Sequence, residues 1–228
     1  MWWRSVSWLV ALITVVAVGG RPATTVAAPT EQPPTQVRVV NALPTVPALD
    51  VLVDGAPRVP ALAFGANPPY IPLAPGPHTV ALVPPGGVPP APILTTEIAL
   101  GPGVSQTLFA IQGEGVPPIF LVLPEAPVGA PGAGATARFV HASPNTPPVD
   151  LALRGGPVLF GNIPFGEASP YVPVVPGPVD LEARLAGTET VVLDIPAVEL
   201  APGGVYTFGA LGLTDGAPPL GFLSLSDL

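Results

Sequence analysis

A stretch in the middle of the chain, Thr136 to Gly156, reads T-A-R-F-V-H-A-S-P-N-T-P-P-V-D-L-A-L-R-G-G. A worn copy, Q-V-R-V-V-N-A-L-P-T-V-P-A-L-D-V-L-V-D-G, occupies Gln36 to Gly55. Arg38 and Arg138, Ala42 and Ala142, Pro44 and Pro144, and Asp50 and Asp150 each stand 100 residues apart. That period is the length of an ordinary domain, well beyond the roughly 20–50 residues of a solenoid unit. The duplication therefore predicts two similar domains within 228 residues.

Composition decides what kind of domain. The 37 prolines and 26 glycines would by themselves suggest a low-complexity, disordered chain. Disorder, however, goes with low hydrophobicity and high charge, and here 48% of residues are hydrophobic and 10% charged. The prolines punctuate short runs of Val, Leu, Ile and Phe, and within those runs the apolar period is two. Val179, Leu181, Ala183 and Leu185 alternate with Asp180, Glu182, Arg184 and Ala186, as in a half-buried strand. Leu49, Val51 and Val53 alternate in the same way and run into Asp54-Gly55, a dipeptide that tolerates positive φ at both positions and favours a hairpin. Later strands are expected at Val104 to Gln112 and Val205 to Leu211, each introduced by a Pro-Gly turn. About seven such runs per repeat predict an all-β protein of two antiparallel sandwiches.

The first residues predict export. Met1-Trp2-Trp3-Arg4 is a short basic start, Trp8 to Val18 is apolar but for Thr14, and Thr25-Val26-Ala27 suits cleavage after Ala27. The apolar run is too short for the roughly 20 residues of a membrane span. The expected organisation is a signal peptide over 1–27, a polar Pro-rich lead-in over 28–35 and a first sandwich over 36–123. A Pro/Gly/Ala linker with nothing to bury follows over 124–135, then a second sandwich over 136–228. The chain has no cysteine, so each domain is expected to hold by packing alone. The last residues show no hydrophobic tail, which predicts a secreted product with no stable membrane anchor after cleavage. Lysine is absent, and with Arg4 and Arg21 in the leader, five arginines remain against fifteen acids. Such a surface repels phosphate backbones, which argues against a nucleic-acid partner.

Val140-His141-Ala142-Ser143-Pro144-Asn145-Thr146-Pro147-Pro148-Val149-Asp150-Leu151 resembles the opening signature of the bacterial domain of unknown function 4397. An F-G-x4-Y element similar to that family's next block occurs twice, as Phe64-Gly65 to Tyr70 and Phe165-Gly166 to Tyr171. The resemblance implies an immunoglobulin-like sandwich in two tandem copies on a secreted or cell-envelope protein, and implies no activity. The copies depart from the signature in complementary places. Repeat one has Asn41 and Leu43 for the His and Ser; repeat two has Arg154-Gly155 at the hairpin turn.

Several residues have the chemistry for a site. His141, Ser143 and Asp150 are the residue types of a nucleophilic triad, but i and i+2 on a strand point in parallel and need not converge. The expectation is a turn at Ser143, a partly buried His141, and an Asp150 that accepts backbone hydrogen bonds. Asp50/Asp54 and Asp180/Glu182 share strand faces and do not suit the opposed carboxylates of glycoside hydrolysis. Calcium lacks an Asp-x-Asp-x-Asp run, and His78 and His141 lack companions for zinc. Tyr70 and Tyr171 can stack on a sugar or anchor an interface, or else fill a sandwich corner. Taken together, the chain reads as a non-catalytic extracellular binding or structural module without cofactor or metal, its partner a protein or glycan. Tyr70, Tyr171, His141 and Asp150 are the candidate binding residues. The alternative is a hydrolase, or a hydrolase accessory, acting on envelope polysaccharide. A further arrangement, one sheet from each repeat around a shared core, is also compatible with the duplication.

Overall fold

The computed structural model describes residues 34–86, 91–125 and 134–227. The signal-peptide reading falls outside the described residues, as does most of the lead-in and of the linker. The described chain is all-β. Repeat one contributes β1 (Gln36–Asn41), β2 (Ala48–Val53), β3 (Ala56–Ala63), β4 (Ile71–Pro72), β5 (Gly76–Val83), β6 (Leu94–Leu100), β7 (Ser105–Ile111) and β8 (Ile119–Pro124). Repeat two contributes β9 (Ala135–Ala142), β10 (Val149–Leu153), β11 (Val158–Ile163), β12 (Val172–Val174), β13 (Gly177–Leu185), β14 (Val191–Leu200), β15 (Val205–Leu211) and β16 (Gly221–Asp227).

Each repeat is an immunoglobulin-like sandwich of two four-stranded sheets, and the strand orders match. Repeat one has β4-β1-β7-β8 over β3-β2-β5-β6; repeat two has β12-β9-β15-β16 over β11-β10-β13-β14. Eight strands per repeat exceed the seven runs expected, because β4 and β12, at two and three residues, are too short to show a period. All pairs are antiparallel except β1 with β7 and β9 with β15, which are parallel. Side chains alternate with period two in either case, so the pattern in the sequence does not report strand direction. The Asp54-Gly55 turn forms as expected, with φ of 52° and 75°, and joins Val53 to Ala56 across the β2–β3 hairpin.

Each sandwich has its own core. Val39, Leu49, Val51, Leu82 and Leu108 fill the first, and Phe139, Leu151, Leu181 and Phe208 the second. A third apolar cluster joins the repeats: Val40, Phe109, Ile111 and Leu123 of repeat one meet Val140, Leu211, Leu223 and Leu225 of repeat two. The sheets containing β1 and β9 therefore lie face to face, and the chain stacks four sheets deep. The shared-core arrangement is half realised, as a third core added to two private ones. This also explains why β7 and β15 are buried along almost their whole length, whereas β2, with one covered face, alternates. A strand covered on both faces loses its polar alternation.

The linker differs from expectation at its ends. Glu125 is almost wholly buried, with its side chain 2% exposed, and Ala135 is inaccessible and begins β9. Both belong to the packed unit, which a Pro/Gly-rich composition does not show.

Where like sheets face each other, a residue near the symmetry axis meets its own counterpart. Two copies of one large side chain would collide there. Phe109 of β7 is fully buried in this layer, and its counterpart 100 residues later is Gly209; a Cβ on Gly209 would stand 3.6 Å from the Phe109 ring. The duplication has thus diverged into a ring and a hole. Phe109→Gly should cost at least the loss of a buried Phe-to-Ala change, about 3–5 kcal/mol in urea unfolding, and Gly209→Phe alone about 1–3 kcal/mol or more by overpacking. The exchanged pair, Phe109→Gly with Gly209→Phe, should recover over half of the summed loss; strict additivity would refute this packing.

Candidate functional site

The interface between the sandwiches ends in a buried ionic cluster. Arg38 on β1 and Arg138 on β9 are 1% and 3% exposed, each on a strand face turned toward the other repeat. Arg38 keeps its Nε at home, donating to Thr107 Oγ1 at 3.1 Å, and sends its outer nitrogens across. Nη1 donates to Ser226 O at 3.0 Å, and Nη2 pairs with the Asp227 carboxylate. Arg138 repeats this in the opposite sense: Nε to Thr207 Oγ1 at 2.8 Å, Nη1 to Pro124 O at 2.7 Å, and Nη2 to Glu125 Oε2 at 3.0 Å. Thr107 and Thr207 donate their hydroxyls to Glu125 and Asp227. Each guanidinium lies over a tyrosine ring, Arg38 on Tyr70 at 4.5 Å and Arg138 on Tyr171 at 4.6 Å. The result is a pseudo-twofold clasp in which each repeat's arginine pairs with the other repeat's acid, and Glu125 also reaches back to Arg38 Nη2 at 3.5 Å.

The two halves are not identical: Glu125 reaches both arginines while Asp227 pairs with Arg38, and the tyrosines differ. Tyr171 directs its hydroxyl between Glu125 Oε2 at 2.7 Å and Asp227 Oδ2 at 2.9 Å, whereas the buried Tyr70 hydroxyl has no partner. Burial pushes both phenols well above their usual range, so both stay neutral. Removal from water, together with the charge of Asp227, raises the carboxyl of Glu125, against the pull of Arg138. The arginine and carboxylate side chains of the cluster are all nearly inaccessible, and the cluster ties one repeat to the other.

The residues expected to carry chemistry lie elsewhere and apart. His141 is inaccessible; its Nε2 donates to Pro147 O at 3.1 Å and its Nδ1 accepts from Ser143 N at 3.3 Å. Burial lowers its pKa. Ser143 donates to Gly212 O at 2.7 Å and lies 2.6 Å from Thr146 Oγ1. Asp150 accepts from Asn162 N at 2.6 Å and Gly187 N at 2.9 Å. No hydrogen bond joins Asp150 to His141, and these three residues do not form a triad.

Repeat one shows what these positions do. Asn41, in the place of His141, bonds Val46 O at 3.0 Å and accepts from Leu43 N at 3.2 Å. Both side chains offer one donor and one acceptor to the same loop. Asp50 likewise accepts from Ala61 N at 2.7 Å. Ala61 and Asn162 both have positive φ, 48° and 54°, and sit where the pairing of β3 and β11 shifts register. The two aspartates fix β-bulges.

Tyr70 and Tyr171 are half-buried lids over arginines and present no exposed stacking platform. Asp180 faces solvent, accepting from Ala197 N at 2.8 Å and pairing with Arg154 at 3.3 Å. Glu182, expected on a solvated face, is instead largely covered and paired with Arg184. Among the described residues no three metal-ligating side chains gather.

At the other end of the interface, equivalent loops of the two repeats frame a cleft of about 520 Å³. Pro44 and Thr45 face Pro144 and Asn145 across it, with Gln112 to Gly115 and Leu213 on its walls. The F-G elements support this end by packing across the interface. Gly65 lies against Leu211, Gly166 against Ile111, and the Phe165 ring against Gly113.

The family model described as domain of unknown function DUF4397 matches residues 35–152 and 135–227. The chain belongs to the DUF4397 family. It carries two tandem copies of the domain, and the elements by which the sequence resembles the family, F-G-x4-Y above all, lie largely at the contact between copies. No curated protein matches the chain.

Reading for chemistry overlooked Arg38, Thr107, Glu125 and their counterparts. A signal did exist: an arginine at the same place in both copies, inside the apolar runs V-R-V-V and A-R-F-V, is an unpaired buried charge unless something answers it.

The difference between the tyrosines is testable by urea unfolding. Tyr171→Phe removes a hydrogen bond to carboxylate and should cost about 1.5–3 kcal/mol. Tyr70→Phe removes an unsatisfied hydroxyl and should be neutral or stabilising. Equal losses would contradict the geometry.

Proposed function

We propose that this DUF4397 protein is an exported, non-catalytic binding module: a rigid two-sandwich platform whose interdomain cleft holds an extracellular protein or glycan. The observation that carries the reading is that cleft, built from the same loops in both repeats and opposite the end closed by the ionic clasp. Clasp and apolar layer fix the two walls relative to each other. Pro44 and Pro144, whose rings fix φ, stiffen the loops, which lowers the ordering cost of binding. Thr45, Glu114 and Asn145 are exposed at its rim and offer hydroxyl, carboxylate and amide groups with no cation among the lining residues. That chemistry suits neutral or basic hydrogen-bonding partners and disfavours anions. Export is supported by the basic start, the Trp8 to Val18 apolar run and the small residues before Ala28.

Purified mature protein should be retained by an immobilised envelope fraction of a bacterium carrying the protein. Glu114→Arg with Asn145→Trp should weaken that retention at least about tenfold, or about 1.4 kcal/mol, without lowering the melting temperature. Glu97→Arg, on the edge strand β6, should leave it unchanged. Equal retention of wild type and the cleft variant, or release of reducing sugar from the envelope by wild type, would refute the proposal.

A further inference from the structure

The second sandwich opens at one end into an apolar pocket of about 240 Å³, between its two sheets and remote from the interdomain cleft. Leu153, Leu159, Val174, Val179, Leu181 and Phe208 line it, and no polar side chain does. Pro173, Pro176 and Pro178 surround its mouth, where their fixed φ keeps the rim in shape. Val175 at the rim is 84% exposed, an apolar side chain left in water at the entrance.

The first repeat carries a polar clasp at the same place. His78 on β5 bonds Asp54 Oδ2 at 2.7 Å and Ala74 O at 2.8 Å, so its ring ties the β2–β3 turn to the loop before β5. The counterparts in repeat two are Val179, Arg154 and Val175. Arg154 turns outward to Asp180 at 3.3 Å and Asp194 at 2.6 Å, and nothing ties the turn to the loop. The copies have diverged at the residues that open or close this end of the sandwich: polar and tied in one, apolar and open in the other.

We infer that repeat two binds a small uncharged apolar molecule in this pocket, of the size of a single ring or a short alkyl chain. Size and chemistry set the class. The volume exceeds the roughly 150 Å³ in which a dry apolar cavity takes up benzene and falls below the roughly 300–1,000 Å³ of drug-sized sites, so a whole lipid does not fit. A wall whose side chains carry no donor or acceptor disfavours sugars and ions, most of whose polar groups would lose their hydration unpaired. The site is independent of the cleft and of whatever the cleft binds.

The test titrates toluene, and separately 1-hexanol, into the full mature chain while following the Val and Leu methyl resonances by NMR. Saturable shifts at Val174, Val179 and Leu181 are expected, with glucose producing none. Val179→Trp, which fills the space, should weaken toluene at least tenfold, and so should Val179→His with Arg154→Asp, which rebuilds the clasp of repeat one. Having two variants guards against one that fails to fold. Shifts that never saturate, shifts spread equally to exposed Val116 and Val122, or unchanged affinity in both variants would each overturn the inference.

Discussion

Two guanidinium groups and two carboxylates lie between the sandwiches, and their burial constrains the rest of the molecule. A lone charge in such a place costs several kcal/mol, and an ion pair recovers that only when geometry and further hydrogen bonds are good. Here each arginine finds a threonine in its own repeat and a carboxylate and carbonyl in the other. The partners sit at the ends of β8 and β16, so those strands must arrive in register with the neighbouring repeat. Separating the repeats would strand four charges at once. The apolar layer supplies the attraction between the sandwiches, and the clasp specifies the single way in which they fit.

Symmetry created this arrangement and also limited it. A duplicated surface that packs on itself gains every off-axis contact twice, as Arg38 with Asp227 and Arg138 with Glu125 show. Near the axis the same rule forbids large residues in both copies, which accounts for Phe109 against Gly209. Other differences trade equivalents: Asn41 and His141 satisfy one loop with different side chains, and Asp54-Gly55 and Arg154-Gly155 close equivalent turns. The divergence of His78 and Val179 is of another kind, since it changes what one end of a sandwich can admit.

Much of the fold was legible in the residues. The repeat announced two domains, the period of two announced strands, and Asp54-Gly55 announced a hairpin, because each is a local consequence of backbone and side-chain geometry. The pairing of β1 with β7 was hidden, since nothing within either run names a partner about seventy residues away. The inner strands were harder to read than the outer ones because both of their faces are covered. The site was less legible still. Asp150 and His141 drew notice for their chemistry, and the structure gives them to a bulge and a loop. Glu125 was concealed among prolines and alanines, though a carboxylate in so apolar a segment needs an answering charge. Arg38 and Arg138 carried the clearest signal.

The central claim is that Arg38 and Asp227, 189 residues apart, sense each other across the interface. A double-mutant cycle in the full chain, with Arg38→Met, Asp227→Leu and both together, measures this directly by urea unfolding. Arg38→Met should cost about 3–5 kcal/mol by leaving Asp227 buried without its cation, and Asp227→Leu somewhat less, because Glu125 Oε1 still lies 3.5 Å from Arg38 Nη2. The pair should lose much less than the sum, with a coupling of about 1–3 kcal/mol. Losses that simply add, to within about 0.3 kcal/mol, would mean that the two residues do not meet and that the sandwiches are not clasped in this way.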